Sequence, residues 1–243
     1  MLNRKRIDFL IIGAQKSGTS SLMEYLNENL QINPPSTKEV HYFDFNYDKS
    51  KKWYHNHFTF SRGEITGEAS PFYFFHPQAP ERIHQYNPNL KLIAILRNPV
   101  ERAWSQYRMN RSRNRETLSF IEALKEEKNR LREDGDFNNK YSSAQLHTYK
   151  MRGLYAEQLE RWYQFFPKEQ ILVLNYHTFY EKPWENVQQI YKFLDVAPYF
   201  GVTDYTVNQS KIQEDMDVAS QQLLEEYYKE PNKRLADLTG IKF

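Results

Sequence analysis

The 243-residue chain contains no cysteine, which excludes disulfide bonds and thiol chemistry and favours a reducing compartment. It also contains no apolar run that approaches the length of a membrane span. Its 33 lysines and arginines nearly balance its 31 aspartates and glutamates, so charge alone requires neither a nucleic-acid nor a membrane partner. From these absences we expect a cytoplasmic protein with neither kind of partner.

The length fits a single α/β domain that spans residues 1–243, since such domains often reach roughly 250 residues. The first residues, MLNRKRIDFLIIG, place basic side chains before a short apolar run, as a secretory signal does. However, that run is too short for a signal and continues directly into a glycine-containing turn. We therefore interpret it as the first strand of the domain.

Glycine is scarce, with 8 residues in all, yet two glycines bracket the turn after this strand. The stretch FLIIGAQKSGTSSL predicts a buried strand at 9–12, a turn from Gly13 to Gly18 and a helix that begins at Thr19. This order surrounds one point with backbone N–H groups and a helix N-terminus, which favours an anion, and Lys16 adds a mobile cation. The stretch therefore predicts a phosphate-binding loop, with an ordinary tight turn between strand and helix as the alternative.

The loop differs from that of a nucleoside triphosphatase. The pattern of those enzymes, G-x-x-x-x-G-K-[ST], places a lysine directly after the second glycine and a magnesium-binding hydroxyl next to it. Here the glycine spacing is kept, but the lysine lies inside the turn at Lys16, and Thr19 occupies its usual position. The loop thus predicts anion binding without the usual magnesium ligand.

A second strand, KLIAIL at 91–96, is followed by another candidate phosphate ligand. Its continuous apolar run is typical of a parallel strand buried on both faces, and ligands of such sheets bind at the carboxyl ends of the strands. Arg97 lies at that end and offers a rigid fork to a phosphate, with helix capping or a salt bridge as its alternative role. Asn98 and Pro99 predict the start of a helix that carries Ser105. Together the two sites predict a ligand that carries two phosphate-type groups and binds without a metal.

Between these two sites, KEVHYFD at 38–44 is dense in ionisable side chains. If the segment is extended, Glu39 and His41 share one side, whereas Val40 and Tyr42 face the other. A carboxylate beside an imidazole is a pair suited to acid–base chemistry. The alternative is a surface segment whose charges are solvated, since ion pairs perturb pKa values in structural settings as well.

Two other clusters favour structural interpretations over functional ones. His55 and His57 suggest a metal site, but neither a cysteine nor a suitably spaced carboxylate accompanies them, so packing or surface roles are favoured. Arg111, Arg113 and Arg115 form a basic cluster ahead of an amphipathic helix. They suit either a cap that attracts an acidic acceptor or, as we favour, a solvated charged face.

The rest of the chain predicts scaffold. We expect a strand at 65–69, a break near Gly153 between helical segments, a strand at 170–174, a helix at 183–194, and C-terminal helices from 218 to 238 that Pro231 interrupts. With the strands above, these elements predict an α/β fold: a P-loop-like parallel β-sheet flanked by helices on both faces.

Four of these stretches resemble a known family, the sulfotransferases that use 3′-phosphoadenosine 5′-phosphosulfate (PAPS). GAQKSGTSSL resembles their 5′-phosphosulfate loop, and LRNPVERAWSQY resembles their 3′-phosphate element. KEVHYFD is similar to the motif of the heparan-sulfate-type branch, and GLYAEQLERWYQFFPKEQILVLNYHTF to the family's helix and following strand. The resemblance covers most of the chain, in the family's order.

The resemblance implies the sulfotransferase fold and a PAPS-dependent enzyme of the EC 2.8.2 type, with PAP (adenosine 3′,5′-bisphosphate) as product and no metal. It assigns cofactor contacts to Lys16, Ser17, Gly18, Thr19, Ser20, Arg97 and Ser105. Among these, Lys16 stabilises the leaving phosphate, and Arg97 with Ser105 binds the 3′-phosphate. Glu39 is the implied general base, with His41 as the alternative base or as a group that orients the substrate.

The chain departs from the heparan-sulfate-type branch at several positions. Ala69 stands where that branch usually has a lysine, the cysteine bridge is missing, and only NQSK at 208–211 offers a weak counterpart to its Lys-Gly-Arg loop. The acceptor hydroxyl therefore stays open between a carbohydrate and a small-molecule or carrier-bound metabolite. Two other functions remain as alternatives: a P-loop nucleotide kinase and a non-catalytic nucleotide-binding module.

Overall fold

The structure is a computed structural model that describes residues 6–201 and 215–243. Within these residues, the strands form one sheet in the order β2–β3–β1–β4–β5, and every neighbouring pair is parallel. The strands are β1 (Phe9–Gly13), β2 (Ile32–Asn33), β3 (Ile65–Ala69), β4 (Lys91–Leu96) and β5 (Ile171–Asn175). The parallel α/β sheet that the sequence predicts is therefore confirmed.

Helices surround this sheet and make up most of the remaining described chain. They are α1 (Thr19–Asn27), α2 (Lys51–His55), α3 (Ala79–Tyr86), α4 (Pro99–Ser112), α5 (Phe120–Glu133), α6 (Ser143–Leu146), α7 (Tyr155–Tyr163), α8 (Tyr176–Glu181), α9 (Pro183–Leu194) and α10 (Val218–Thr239). Short 3₁₀ turns cover Met151–Gly153 and Lys168–Gln170. The turn at Gly153 separates α6 from α7, as the sequence predicts.

The central strands are buried on both faces, which explains their uninterrupted apolar sequences. In β1, Leu10 and Ile12 pack with side chains of α3 and α7, whereas Phe9 and Ile11 pack with those of α1 and α9 on the opposite face. Strand β4 divides its side chains between the same two clusters. A third cluster joins α4, α5 and α10. Helices therefore cover both faces of the sheet.

The register brings the two predicted anion sites to the same edge of the sheet. Strands β1 and β4 are direct neighbours, with Ile11 opposite Ile93 and Gly13 opposite Ala94. Just beyond β1, the amide of Ala14 donates a hydrogen bond of 2.9 Å to the carbonyl of Ile95. The loop after β1 thus begins beside the end of β4, where Arg97 follows.

The C-terminal region differs from its prediction. Helix α10 runs from Val218 to Thr239 through Pro231 without a break. Proline removes one hydrogen bond and favours a kink, but Tyr228 before it and Leu235 after it are both buried. Packing against α7, α4 and α5 therefore holds the helix together on both sides of the proline.

The remaining predictions concern β5, α9, the 208–211 segment and the lack of a membrane span. Strand β5 begins one residue later than predicted, and α9 has the predicted bounds. The 208–211 segment lies outside the described residues. Among the described residues, no helix is both long and apolar enough to cross a bilayer.

Candidate active site

The loop between β1 and α1 is shaped by two residues with left-handed backbone conformations. Lys16 has a φ of 69°, and Gly18, which precedes the first residue of α1, has a φ of 84°. A side chain at Gly18 would also collide with α8, because its Cβ would lie 2.4 Å from the hydroxyl oxygen of Tyr180. Both the positive φ and the lack of space for a Cβ therefore require glycine at this position. The loop and the N-terminus of α1 line a cleft of about 570 Å³.

This cleft collects all but one of the sequence-predicted site residues. Its lining includes Lys16, Gly18, Thr19, Ser20, Glu39, His41, Arg97 and Ser105. Ser17 is absent from that lining: its side chain is fully buried, and its amide donates to the carbonyl of Ala14 at 3.2 Å. The Ser17 amide is therefore engaged within the loop in this structure, and the contact of Ser17 with the cofactor stays a prediction.

Lys16 is the central cation of the cleft. It forms no salt bridge with any described carboxylate. Burial lowers the pKa of its ammonium group, and the positive charges of Arg113 and Arg97 lower it further. Cations that crowd together without carboxylate partners are stabilised by an anion, so the charge pattern favours an anionic ligand here.

Arg97 and Ser105 line the same cleft from the end of β4 and from α4. Arg97 donates from Nε to the carboxylate of Glu101 at 2.9 Å, and its guanidinium lies 4.8 Å from the ring centre of Tyr176. Arg97 therefore does form a salt bridge, the role predicted from the sequence as the alternative to phosphate binding. This salt bridge occupies only Nε, and both terminal nitrogens lack a hydrogen-bond partner among the described residues. Arg97 thus keeps a two-nitrogen fork for an oxyanion.

Glu39 and His41 lie together, as predicted, although their backbone is not extended. Both have left-handed φ angles, 53° and 54°, so strand-like alternation does not describe this segment. The side chains nevertheless meet, with His41 Nε2 lying 3.4 Å from Glu39 Oε2. Val40 and Tyr42 are both buried.

Asp44 completes this group, although it was not among the predicted site residues. Its buried carboxylate lies 2.7 Å from Nδ1 of His41, on the opposite side of the ring from Glu39. The signal was present in KEVHYFD, where an aspartate follows the histidine by three residues in the same short segment. The imidazole therefore bridges two carboxylates.

These contacts set the protonation states. Burial alone would lower the pKa of His41, but hydrogen bonds and charges from Asp44 and Glu39 raise it to about 10. Burial opposes ionisation of Glu39, yet its hydrogen bond to His41 and the charge of that ring hold the pKa of the carboxyl below its usual value. At neutral pH the pair is an imidazolium beside a carboxylate, so Glu39 is the member that can accept a proton.

Residues at the end of β3 hold this segment in place. The fully buried carboxylate of Glu68 accepts a hydrogen bond of 3.1 Å from the amide of Val40 and others from the hydroxyls of Tyr54 and Tyr73. Ser70 accepts from the amide of His41 at 3.1 Å and donates to Glu68 at 2.7 Å. The positions of Glu39 and His41 are thus fixed through their backbone.

The two remaining clusters have different outcomes. The ring of His55 lies 2.8 Å from the hydroxyl of Tyr86, which agrees with the favoured packing role. Arg111 donates to the carbonyl groups at 116 and 117, whereas Arg113 and Arg115 line the cleft. The favoured prediction of a solvated charged face therefore holds only in part, because Arg113 and Arg115, which follow the end of α4, border the cleft.

A second cavity, of about 590 Å³, adjoins the cleft and shares Glu39 and His41 with its lining. Its polar and aromatic lining comes mainly from the segment between α5 and α6: Asp136, Asn138, Asn139, Lys140 and Tyr141. The ring of Tyr141 is 67% exposed. Glu39 thus borders both the cationic cleft and the polar cavity.

Comparison with known proteins identifies related sequences. A family model described as "Sulfotransferase domain" matches residues 6–233. Human heparan sulfate glucosamine 3-O-sulfotransferase 5 is 34% identical over 195 residues, which cover 78% of this chain and 53% of that protein. Mouse heparan sulfate glucosamine 3-O-sulfotransferase 3B1 is 32% identical over 203 residues, covering 83% and 49%. The chain spans about half the length of these curated relatives.

Solved structures show the same fold over nearly the whole chain. A sulfotransferase from Alicyclobacillus acidocaldarius superposes with a TM-score of 0.83 at 32% identity, covering 98% of this chain and 97% of that one. Mouse sulfotransferase SULT7A1, solved in complex with PAP, superposes with a TM-score of 0.58 at 12% identity, covering 93% and 85%. The second likeness concerns the fold alone.

Proposed function

The chain belongs to the sulfotransferase family, and we propose that it transfers the sulfuryl group of PAPS to an acceptor hydroxyl. One observation supports this proposal above all. A single cleft brings together the Lys16 loop at a helix N-terminus, the free fork of Arg97 with Ser105, and the carboxylate of Glu39. Sulfuryl transfer needs these three parts: a grip on each end of the nucleotide, and a base for the acceptor.

The two anion sites suit a nucleotide that carries phosphates on both its 3′ and 5′ sides. In the proposal, Lys16 and the N-terminus of α1 hold the 5′-phosphosulfate, with Thr19 and Ser20 as further donors. Arg97 and Ser105 hold the 3′-phosphate, which ATP lacks. The lining residues present therefore fit PAPS as co-substrate.

In the reaction itself, Glu39 accepts the proton of the acceptor hydroxyl as the acceptor oxygen attacks sulfur. The bond between sulfur and the bridging oxygen breaks, and its electron pair stays on the phosphate that becomes PAP. Lys16 stabilises this developing charge on the bridging oxygen. The acceptor leaves as its sulfate ester, so the proton and the sulfuryl group are both accounted for.

The protonation states favour Glu39 over His41 as the base. With a pKa of about 10, His41 already carries its proton at neutral pH and has no free lone pair to offer. We propose that the imidazolium orients Glu39 and keeps it ionised, while Asp44 fixes the ring through its contact with Nδ1. His41 and Asp44 are then positioning residues rather than the base.

The second cavity is the proposed entry for the acceptor. It reaches Glu39 next to the cleft, and its asparagine, aspartate and lysine side chains suit a polyhydroxylated molecule. The exposed ring of Tyr141 offers a face on which a sugar can lie. The names of the relatives point to glucosamine units of heparan sulfate, so we propose a carbohydrate acceptor for this chain, ahead of a carrier-bound metabolite.

The proposal is tested by separating binding from turnover. We expect Arg97→Ala to weaken PAP binding at least about tenfold in calorimetric titration, because it removes a charge-assisted hydrogen bond. We expect Glu39→Gln to bind PAP normally but to lose about 10²- to 10⁴-fold in turnover of PAPS with a hydroxyl acceptor. We expect Lys16→Ala to lose both PAP binding and turnover.

Controls and contrary outcomes complete the test. Glu126→Gln, on an exposed face of α5, should change neither the affinity for PAP nor the turnover of PAPS. Normal turnover by the Glu39 variant would refute the assigned base and favour a binding module. Turnover of ATP with magnesium in place of PAPS would refute the proposed reaction. A screen of sugar, phenol and hydroxyacyl acceptors tests the acceptor class.

A further inference from the structure

Arg152 lies beneath the cleft, where it is only 2% exposed. Its Nη1 donates to the side-chain oxygen of Gln15, and its Nη2 to the side-chain oxygen of Gln145 at 2.8 Å. Further bonds reach the hydroxyl of Thr148 and backbone carbonyls of α6. The guanidinium lies 4.7 Å from the ring centre of Phe72. All of these contacts are with neutral groups, whereas the buried carboxylate of Glu127 acts on the guanidinium only through its charge.

Such a buried cation needs an explanation. Arg152 forms no salt bridge with a described carboxylate, and burial lowers its pKa well below the ordinary value for arginine. A buried cation that no carboxylate contacts directly is costly, and the cost is reduced when an anion binds nearby. The two amide side chains that Arg152 contacts, Gln15 and Gln145, both line the cationic cleft.

The chemistry of these contacts fixes the orientation of both amides. A guanidinium only donates hydrogen bonds, so each glutamine must turn its oxygen towards Arg152 and its nitrogen away from it. Neither amide nitrogen has a hydrogen-bond partner in the described part of the chain. Two N–H₂ groups are therefore available to the cleft, one of them directly beside Lys16 in the sequence.

We infer that the amides of Gln15 and Gln145, held by Arg152, form a subsite for the oxyanion bound beside Lys16. This inference rests on the proposed function, in which that oxyanion is the 5′-phosphosulfate of PAPS or the 5′-phosphate of PAP. Gln15 and Gln145 supply neutral donors that add to the charge of Lys16. Arg152 is a positioning residue, since it acts through the two amides and its long-range charge.

The sharpest test replaces a glutamine by glutamate. In Gln145→Glu, Arg152 gains a carboxylate partner, so we expect an unchanged or higher melting temperature. The N–H₂ donor is lost and an oxygen faces the ligand, so we expect the dissociation constant for PAP to rise at least about tenfold. Gln78→Glu is the matched control, because Gln78 also accepts from an arginine, Arg82, but outside the cleft. It should leave PAP binding unchanged.

A neutral series separates donor loss from charge repulsion. Gln15→Met and Gln145→Met remove the donors without adding charge, and each should weaken PAP binding about tenfold. Arg152→Lys keeps the charge but loses the fork, and it should weaken binding in the wild-type background. In a protein that already carries Gln15→Met and Gln145→Met, adding Arg152→Lys should weaken PAP binding much less, because the amides that Arg152 positions are gone.

The outcomes separate this inference from the proposed function. Wild-type affinity for PAP in the Gln15 and Gln145 variants, together with weakened binding by Lys16→Ala, would overturn the subsite and leave the function intact. An equal effect of Arg152→Lys in both backgrounds would overturn the positioning role. Failure of the wild-type protein to bind PAP would overturn both.

Discussion

Lys16, Glu39 and His41 share a backbone conformation that side chains other than glycine rarely adopt, with φ angles between 53° and 69°. Each such residue costs roughly 1–2 kcal/mol, and such residues concentrate at functional sites, where surrounding contacts enforce them. Here the contacts are visible for the second and third residues, whose segment is fixed by Glu68 and Ser70. The conformation brings the carboxylate and the imidazole together.

The pairing of Glu39 with His41 leads to a prediction about pH. In the wild-type enzyme burial opposes ionisation of Glu39, but its hydrogen bond to His41 and the charge of that ring lower its pKa, so the proposed base stays ionised, and the rate persists, to lower pH than for an ordinary glutamate. His41→Asn removes the hydrogen bond and charge that lower this pKa and leaves burial, which raises it. We therefore expect the acidic limb of the kcat/KM profile to move to higher pH. An unmoved limb would show that the titrating base is another group.

At the scale of elements, the loop before α1 depends on one glycine. Gly18→Ala combines a positive φ with a contact to the hydroxyl of Tyr180 at less than van der Waals distance. We expect it to lower the free energy of unfolding by about 2–3 kcal/mol and to weaken PAP binding. Both effects follow from a displaced start of α1, and urea denaturation and titration with PAP measure them.

Gly63→Ala is the control for this prediction. It has nearly the same φ, 86°, but nothing lies within 4 Å of the added Cβ. It should therefore lose only about 1 kcal/mol and bind PAP normally. Equal losses in the Gly18 and Gly63 variants would show that the contact with Tyr180 does not matter.

Helix α10 offers the second prediction at this scale. Pro231 interrupts the hydrogen bonds of a helix that packing already holds, so Pro231→Ala should raise the free energy of unfolding by about 2 kcal/mol. Pro183 is the matched control, because it stands at the first position of α9, where a proline costs nothing. Pro183→Ala should bring no gain. Destabilisation by Pro231→Ala would mean that the proline ring is needed for packing.

At the scale of the whole molecule, the site draws on segments from most of the sequence. The cleft takes residues from the β1–α1 loop, the segment after β2, the end of β4, α4 and α6. Strand β1 lies at the centre of the sheet, so these segments rest on one scaffold. The single domain over 1–243 stays a prediction, and it carries a consequence for unfolding.

We expect one cooperative transition in thermal unfolding, with circular dichroism and tryptophan fluorescence coinciding. PAP at about 100 times its dissociation constant should stabilise the protein by about 2.7 kcal/mol. Lys16→Ala should show a much smaller shift at the same concentration. Two separate transitions, only one of them shifted by PAP, would contradict the single domain.

The sequence predicted the parallel sheet, and the bounds of four of its strands and of α9 to within one residue, because these depend on local signals: apolar runs, glycines, prolines and caps. It predicted the members of the cleft for a related reason. The carboxyl ends of neighbouring parallel strands meet at one edge, so Lys16 and Arg97 had to lie close together once β1 and β4 were adjacent. It missed the continuity of α10, because that depends on packing by distant helices.

What the sequence alone determined is the set of chemical groups: a cation in a glycine loop, an arginine after a strand, and a carboxylate near an imidazole. Only the tertiary structure decided their states. The proton sits on His41 because Asp44 and Glu39 flank its ring. The amides of Gln15 and Gln145 turn their nitrogens to the cleft because Arg152, far along the chain, takes their oxygens. Protonation and amide orientation depend on neighbours in space, which a linear pattern does not contain.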